Sequence, residues 1–241
     1  MQNTTVFIID AGNSNVKVAR FESNELTDLK RFPSEDLTEL KAYLSQKEGN
    51  FALSSVLSKE KTQDLLSIDK DIILLKTDTP ISMKVSYGTT NTLGMDRLCN
   101  AVYAYAHTQT EYAVVVDVGT CIKFDIVHRT DGYIGGSISP GIDLRYKALN
   151  DYTGNLPLLS NKTATKLVGT STHLSIQSGV MNGIAAEING MMDGYRERFS
   201  SLTFFMTGGD AQHFDIRSKN DIFADENLTL VGLHKIYQQN A

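Results

Sequence analysis

Thr5-Val-Phe-Ile-Ile-Asp10-Ala-Gly-Asn-Ser14 and Ala113-Val-Val-Val-Asp117-Val-Gly-Thr120 say the same thing twice. Each is an apolar, β-branched run of the kind that fills a buried strand. Each ends in an aspartate and breaks into a short turn containing glycine and a hydroxyl residue. A second strand follows each turn, at Val16–Phe21 and at Cys121–Val127. Third strands are expected at Leu26–Phe32 and Tyr133–Ile138. The two aspartates stand 107 positions apart, too far for a solenoid repeat, so the pattern predicts a duplicated lobe. Strands followed by helices in both halves predict an α/β protein with a mixed, helix-flanked sheet in each lobe. The lobes are expected at 1–108 and 109–241.

Between these anchors, Ser34 is expected to cap a helix over Glu35–Gln46, with Leu37, Leu40 and Leu44 on its buried face. Strands are expected at Phe51–Leu57 and Asp71–Leu75, separated by a short helix over Lys59–Leu66. Residues 77–93, rich in Thr, Ser, Gly and Asn, read as a long loop, a feature often tied to function. Helices are expected over Asp96–His107 and Ile142–Leu149, and a longer one from Ser171 to Arg198. In the last, Gly179, Gly183, Ala186, Gly190 and Gly194 recur at spacings near one turn, which predicts tight helix packing. Its Ile176, Val180, Ile184 and Ile188 supply an apolar row, expected to serve a homodimer.

Composition narrows the function classes. Hydrophobic residues are 41% and charged residues 21%, ordinary for a globular protein, and the net charge is −5. No Lys/Arg cluster supports a nucleic-acid or anionic-membrane partner. Cys99 and Cys121 lack metal-ligand spacing and read as reduced thiols. No apolar run approaches a membrane span, and the N-terminal residues lack a basic leader, so a cytoplasmic protein is expected.

Several designs for chemistry are absent. Gly136-Ser-Ile-Ser-Pro-Gly141 is the nearest approach to a Walker A loop, but Ile142 stands where lysine is required. There is no G-x-G-x-x-G, no H-x-H or H-E-x-x-H, and no nucleophile elbow for a serine hydrolase. What remains is the pair of Asp-x-Gly turns. One such turn is an ordinary hairpin, since these residues favour tight turns anyway. Two of them, each after a buried strand, point to phosphate oxygens met by turn amides and hydroxyls, with the aspartates near a cation. Thr207-Gly-Gly-Asp210 follows the apolar run Leu202–Met206 and reads as a strand ending in glycines at a helix start, open to a flat ligand. Tyr87-Gly-Thr-Thr-Asn-Thr-Leu-Gly94-Met-Asp-Arg97 puts an acid beside a guanidinium where a loop meets a helix. Taken alone it is equally an ordinary helix start.

Together these segments resemble the type III pantothenate kinases, of the superfamily of acetate and sugar kinases, Hsp70 and actin. The resemblance lies in Asp10-Ala-Gly-Asn-Ser-Asn-Val-Lys17, Leu93-Gly-Met-Asp-Arg97, Asp117-Val-Gly-Thr120, Gly135-Gly-Ser-Ile-Ser-Pro-Gly141, Ile176-Gln-Ser-Gly179 and Thr207-Gly-Gly-Asp210. The Asp-x-Gly turns mark the superfamily alone; Gly-x-Asp-Arg with Gly-Gly-x-Ile-x-Pro-Gly marks the family. It implies an actin-like, ribonuclease H-like ATPase fold with the nucleotide in a cleft between the lobes. The implied reaction is ATP-dependent phosphorylation of pantothenate to 4'-phosphopantothenate, the first step towards coenzyme A. Mg2+, a monovalent cation (K+ or NH4+) and a homodimer are implied with it.

Carried over by position, Asp10, Ala11, Gly12, Asn13, Ser14, Asn15, Val16 and Lys17 would hold ATP phosphates, and Thr120 would touch ATP. Asp117 would bind the monovalent cation. Tyr87, Gly94, Met95, Asp96, Arg97 and Thr172 would contact pantothenate, with Asp96 as catalytic base. Two positions depart from the family pattern. Thr90 stands where many relatives have proline, and Lys123 stands where a small hydroxyl residue is more usual. The alternatives are a sugar or carboxylate kinase of the same superfamily, and a non-catalytic ATP-binding accessory or regulatory protein.

Overall fold

The structure, a computed structural model, describes residues 5–13, 15–215 and 222–241. These form two compact units. One comprises the described residues up to Ser82 with Thr89–Tyr103 and Leu228–Ala241, and the other comprises Met83–Gly88 with Ala104–Asn227.

In the first unit β1 (Val6–Ala11), β2 (Asn15–Glu22) and β3 (Glu25–Pro33) form an antiparallel meander. Then come α1 (Thr38–Ser45), β4 (Asn50–Ser55), α2 (Lys59–Leu66) and β5 (Ile72–Leu74). The sheet order is β3-β2-β1-β4-β5, with β4 and β5 parallel to β1. Parallel pairing needs a crossover, and α1 and α2 supply it. α3 (Met95–His107) follows a single 3-10 turn at Thr90–Thr92 in the expected loop.

The second unit repeats the plan. β6 (Tyr112–Val118), β7 (Cys121–His128) and β8 (Gly132–Pro140) form the meander, followed by α4 (Ile142–Asp151), α5 (Thr172–Arg198), β9 (Leu202–Thr207) and β10 (Ile222–Ala224). Its order, β8-β7-β6-β9-β10, reproduces that of the first sheet strand for strand. The duplicated Asp-x-Gly turns are therefore the outward sign of a duplicated topology. Phe7, Ile9, Val16, Leu40 and Leu53 fill the first core, and Val114, Val116, Phe124, Ile184 and Phe204 fill the second.

Four expectations need correction. The lobe boundary at 108/109 does not match the division into units. The final helix, α6 (Leu228–Gln238), lies in the first unit, where Gly232 meets the Cys99 backbone and His234 stacks on Phe21 with ring centroids 4.0 Å apart. Residues 83–88 lie in the second, where Val85 bridges Tyr133. Secondly, α1 begins at Thr38 rather than after Ser34, because the Asp36 carboxylate accepts the Thr38 amide at 2.9 Å. Thirdly, the glycines of α5 do not mark close packing among the described residues: a Cβ at Gly179, Gly190 or Gly194 would meet nothing within 4 Å, and one at Gly183 would meet only the end of the Arg145 side chain, at 4.0 Å. Lastly, Ile176, Val180, Ile184 and Ile188 are all buried in their own unit's core and leave no free face. No helix among the described residues is long and apolar enough to cross a membrane.

Candidate active site

Asp10 is the next-to-last residue of β1, reached through the buried run Phe7-Ile8-Ile9. Its ladder partners are Lys17 on β2 and Ser54 on β4. The turn beyond it is closed by the Gly12 amide, which donates to the Asn15 carbonyl at 3.0 Å. Of the residues assigned to ATP, Ala11 and Val16 are buried in the core, Gly12 and Lys17 half-buried, and Asn13 and Asn15 exposed. Ser14 lies outside the described residues.

α3 brings a second carboxylate to this neighbourhood. Asp96 lies in the first turn of the helix and folds back, so that a Cβ on Gly94 would sit 2.5 Å from its Oδ1. Met95 and Arg97 are buried on either side. One turn on, the wholly buried Cys99 thiol is held well above its ordinary pKa, by burial first and then by the charges of Asp10 and Asp96. Residues 86 positions apart thus act on one thiol. A cavity of about 540 Å3 in the same unit is bordered by Ser54, Ser55, Thr62, Leu75, Lys76 and Met95.

In the second unit Asp117 occupies the place on β6 that Asp10 has on β1, with Lys123 on β7 and Thr207 on β9 as ladder partners. Lys123 Nζ lies 2.8 Å from Asp117 Oδ2, and both side chains are largely buried. Glycines let two segments close on the end of β6 and its turn. Gly208 has φ +99°, and a Cβ there would lie 2.2 Å from the Val118 carbonyl oxygen. The Asp210 amide donates to that same oxygen at 2.9 Å. At Gly141, a Cβ would lie 2.1 Å from the Gly119 carbonyl oxygen, and the Gly141 amide donates to the Thr120 carbonyl at 3.0 Å. Thr120 itself is exposed. After Gly208-Gly209 the chain makes a 3-10 turn, Ala211–His213, rather than the expected helix start.

Lys162 reaches Asp143 at 2.8 Å and Asp210 at 3.0 Å, tying the start of α4 to the glycine turn. Burial lowers its pKa, but the hydrogen bonds and charges of both aspartates outweigh this and raise it. Nothing in spacing announces Lys162, because it sits in an irregular stretch far from both partners in sequence. The remaining acceptor residues also belong to this unit. The ring of Tyr87 lies 5.6 Å from that of Tyr133, whose hydroxyl donates to Asp125 Oδ1 at 2.9 Å. Thr172 is the exposed first residue of α5, after the N-cap Ser171. Thr90 sits in a closed turn even without proline, the Thr92 amide donating to the Thr89 carbonyl at 3.0 Å.

Residues 6–194 match the family model for type III pantothenate kinases. A type III pantothenate kinase of Christiangramia forsetii is 38% identical over 238 residues, covering 97% of this chain and 98% of that protein. This chain belongs to the type III pantothenate kinase family. The family is one of ATP-dependent kinases working with a divalent metal, and its members phosphorylate pantothenate in coenzyme A biosynthesis.

Solved structures agree on the fold. A Campylobacter jejuni protein described as a Baf family transcriptional activator superposes with TM-score 0.62 at 24% identity, covering 97% of this chain and 98% of that one. An inorganic polyphosphate/ATP-glucomannokinase of Arthrobacter superposes with TM-score 0.51 at 12% identity, covering 98% and 100%. The architecture is thus the actin-like ATPase fold, two similar α/β units with mixed, helix-flanked sheets. As a pantothenate kinase of type III, the chain places Asp10 and Asp96 in its first unit and Asp117, Thr120, Tyr87 and Thr172 in its second.

Proposed function

We propose that this chain phosphorylates pantothenate from ATP, with Asp10 and its turn on the nucleotide and Asp96 as the catalytic base. The supporting observation is the family match from residue 6 to residue 194, in a chain whose first unit carries Asp10 at the end of β1 and Asp96 in the first turn of α3. The reaction is a positioning problem. The acceptor hydroxyl and the γ-phosphorus must be in line, with the charge on the transferring group met by fixed donors. The pantothenate hydroxyl oxygen forms its bond to phosphorus as the bond to ADP breaks, and the hydroxyl proton passes to the Asp96 carboxylate. Arg97 offers its guanidinium to acceptor or phosphate oxygens. The turn amides after Asp10 meet phosphate oxygens. Mg2+ arriving with ATP would neutralise phosphate charge, and Asp10, a half-buried carboxylate at a strand end, is the residue that would hold it. The Asp117 carboxylate fits K+ or NH4+ poorly, because the Lys123 ammonium already stands 2.8 Å from it.

The proposal extends to a cytoplasmic homodimer. Its support is the apolar surface of the second unit, where Tyr152, Leu158, Leu167, Val168 and Leu174 are exposed.

Asp96→Asn tests the central role. An amide of the same shape cannot take the proton, and positioned bases contribute about 10²–10⁴-fold, or roughly 3–5 kcal/mol of barrier. Turnover in a coupled ADP-release assay should fall by about that range, with little change in the pantothenate KM. Retention of more than about a third of wild-type turnover would reduce Asp96 to a helix-start residue. ATP consumption with sugars or carboxylates but not with pantothenate would refute the acceptor.

A further inference from the structure

We infer that Lys123 supplies, from within the chain, the positive charge that a monovalent cation would bring to Asp117, so that this kinase works without K+ or NH4+. The inference rests on the ATP-kinase reading above. Asp117 is 8% exposed, and its side chain shares the end of β6 with that of Lys123, directly across the β6–β7 ladder. Their 2.8 Å separation is that of a charge-assisted hydrogen bond (about 2.7–2.9 Å). With side chains only 14% and 12% exposed, the pair is poorly screened, so the ammonium is strongly held where it is. A second cation brought against the same carboxylate would be repelled by the first at short range.

The first unit offers an internal comparison. There Lys17 faces Asp10 at the same ladder position that gives Lys123 to Asp117. Both halves of the duplicated fold therefore carry an aspartate with a lysine opposite it. Asp117 with Lys123 has the same net charge as Asp117 with K+, so the electrostatics at the end of β6 need no ion from solution. The departure at position 123 is thus a change in how the charge is supplied.

The test compares turnover of MgATP and pantothenate in choline, Na+, K+ and NH4+ chlorides at matched ionic strength. Wild type should run at one rate in all four, to within about a factor of two. Lys123→Thr should lose about 10²-fold in choline, as expected for a lost electrostatic donor, and regain most of it in K+ or NH4+. Melting provides a readout independent of the acceptor. With Mg2+ and a non-hydrolysable ATP analogue, K+ in place of choline should raise the melting temperature of Lys123→Thr and leave wild type unchanged. Should Lys123→Thr fail to fold, Lys123→Met keeps the packing of the stem and is judged by the same criteria. Stimulation of wild type by K+, in rate or in analogue-bound melting, would overturn the inference. So would a Lys123→Thr enzyme that equals wild type in choline. Absence of pantothenate turnover in every salt would instead count against the proposed acceptor, and the melting comparison would still decide the role of Lys123.

Discussion

Replacing Gly208 by alanine should damage both the fold and nucleotide binding, and the size of the first effect can be worked out from the turn. The residue sits at φ +99°, a conformation that costs a side-chain-bearing residue about 1–3 kcal/mol. The new Cβ would lie 2.2 Å from the Val118 carbonyl oxygen, a backbone atom that no rotamer change can move. The turn must shift away, and the 2.9 Å hydrogen bond from the Asp210 amide to that oxygen goes with it, at about 0.5–1.5 kcal/mol. Together this is about 2–4 kcal/mol, which for a chain of this size lowers the melting temperature by about 5–15 °C. Scanning calorimetry measures it, with Gly209→Ala as the control. A Cβ at Gly209 meets nothing within 4 Å, so that variant should melt with wild type. Gly209→Ala should nevertheless raise the KM for ATP if the nucleotide lies against the turn. A Gly208→Ala protein that melts with wild type would refute the close approach. An unchanged KM for ATP in Gly209→Ala would refute the nucleotide role of the turn.

His234 should impose an acid-side loss of stability. Burial, with a smaller contribution from Lys235, lowers its pKa to about 4, below the unfolded value near 6.5. Between those values the unfolded chain binds the proton and the folded chain does not. Stability is therefore complete above about pH 6.5 and falls as pH drops towards 4, by up to about 3 kcal/mol. Urea melts across this window should show the slope in wild type and a weaker one in His234→Gln; equal slopes would refute it. For the homodimer, light scattering at micromolar concentration should give twice the chain mass, and Leu167→Glu with Val168→Glu should give a monomer. A wild-type monomer would refute the dimer, and an intact dimer in the double variant would place the interface elsewhere.

The strands and their turns were legible because their signals are local. Val6–Ala11 and Tyr112–Val118 are apolar runs cut off by Asp-x-Gly, and the Lys59–Leu66 helix has its own cap in Ser58, which accepts the Lys61 amide. α1 starts three residues later than Ser34 predicts, because Leu37 stands at its N-cap and the preceding Asp36 carboxylate accepts the Thr38 amide, a bond that spacing does not show. The glycine row of α5 misled because spacing reports which residues share a face, while what packs against that face is a property of the folded chain.

By itself the sequence determined that two copies of one strand-turn-strand unit exist, and which acids end their first strands. It also placed Asp96 and Arg97 at a helix start, because these features depend on neighbours within a few residues. Tertiary structure alone decided that α6 closes the first unit, through the approach of Gly232 to the Cys99 backbone. It decided likewise that Asp10 and Asp96 act on one thiol, and that Lys162 joins Asp143 to Asp210. Most telling, Lys123 turns onto Asp117. Charge, unlike strand periodicity, acts across whatever distance folding leaves between two groups, and no local pattern reveals that distance.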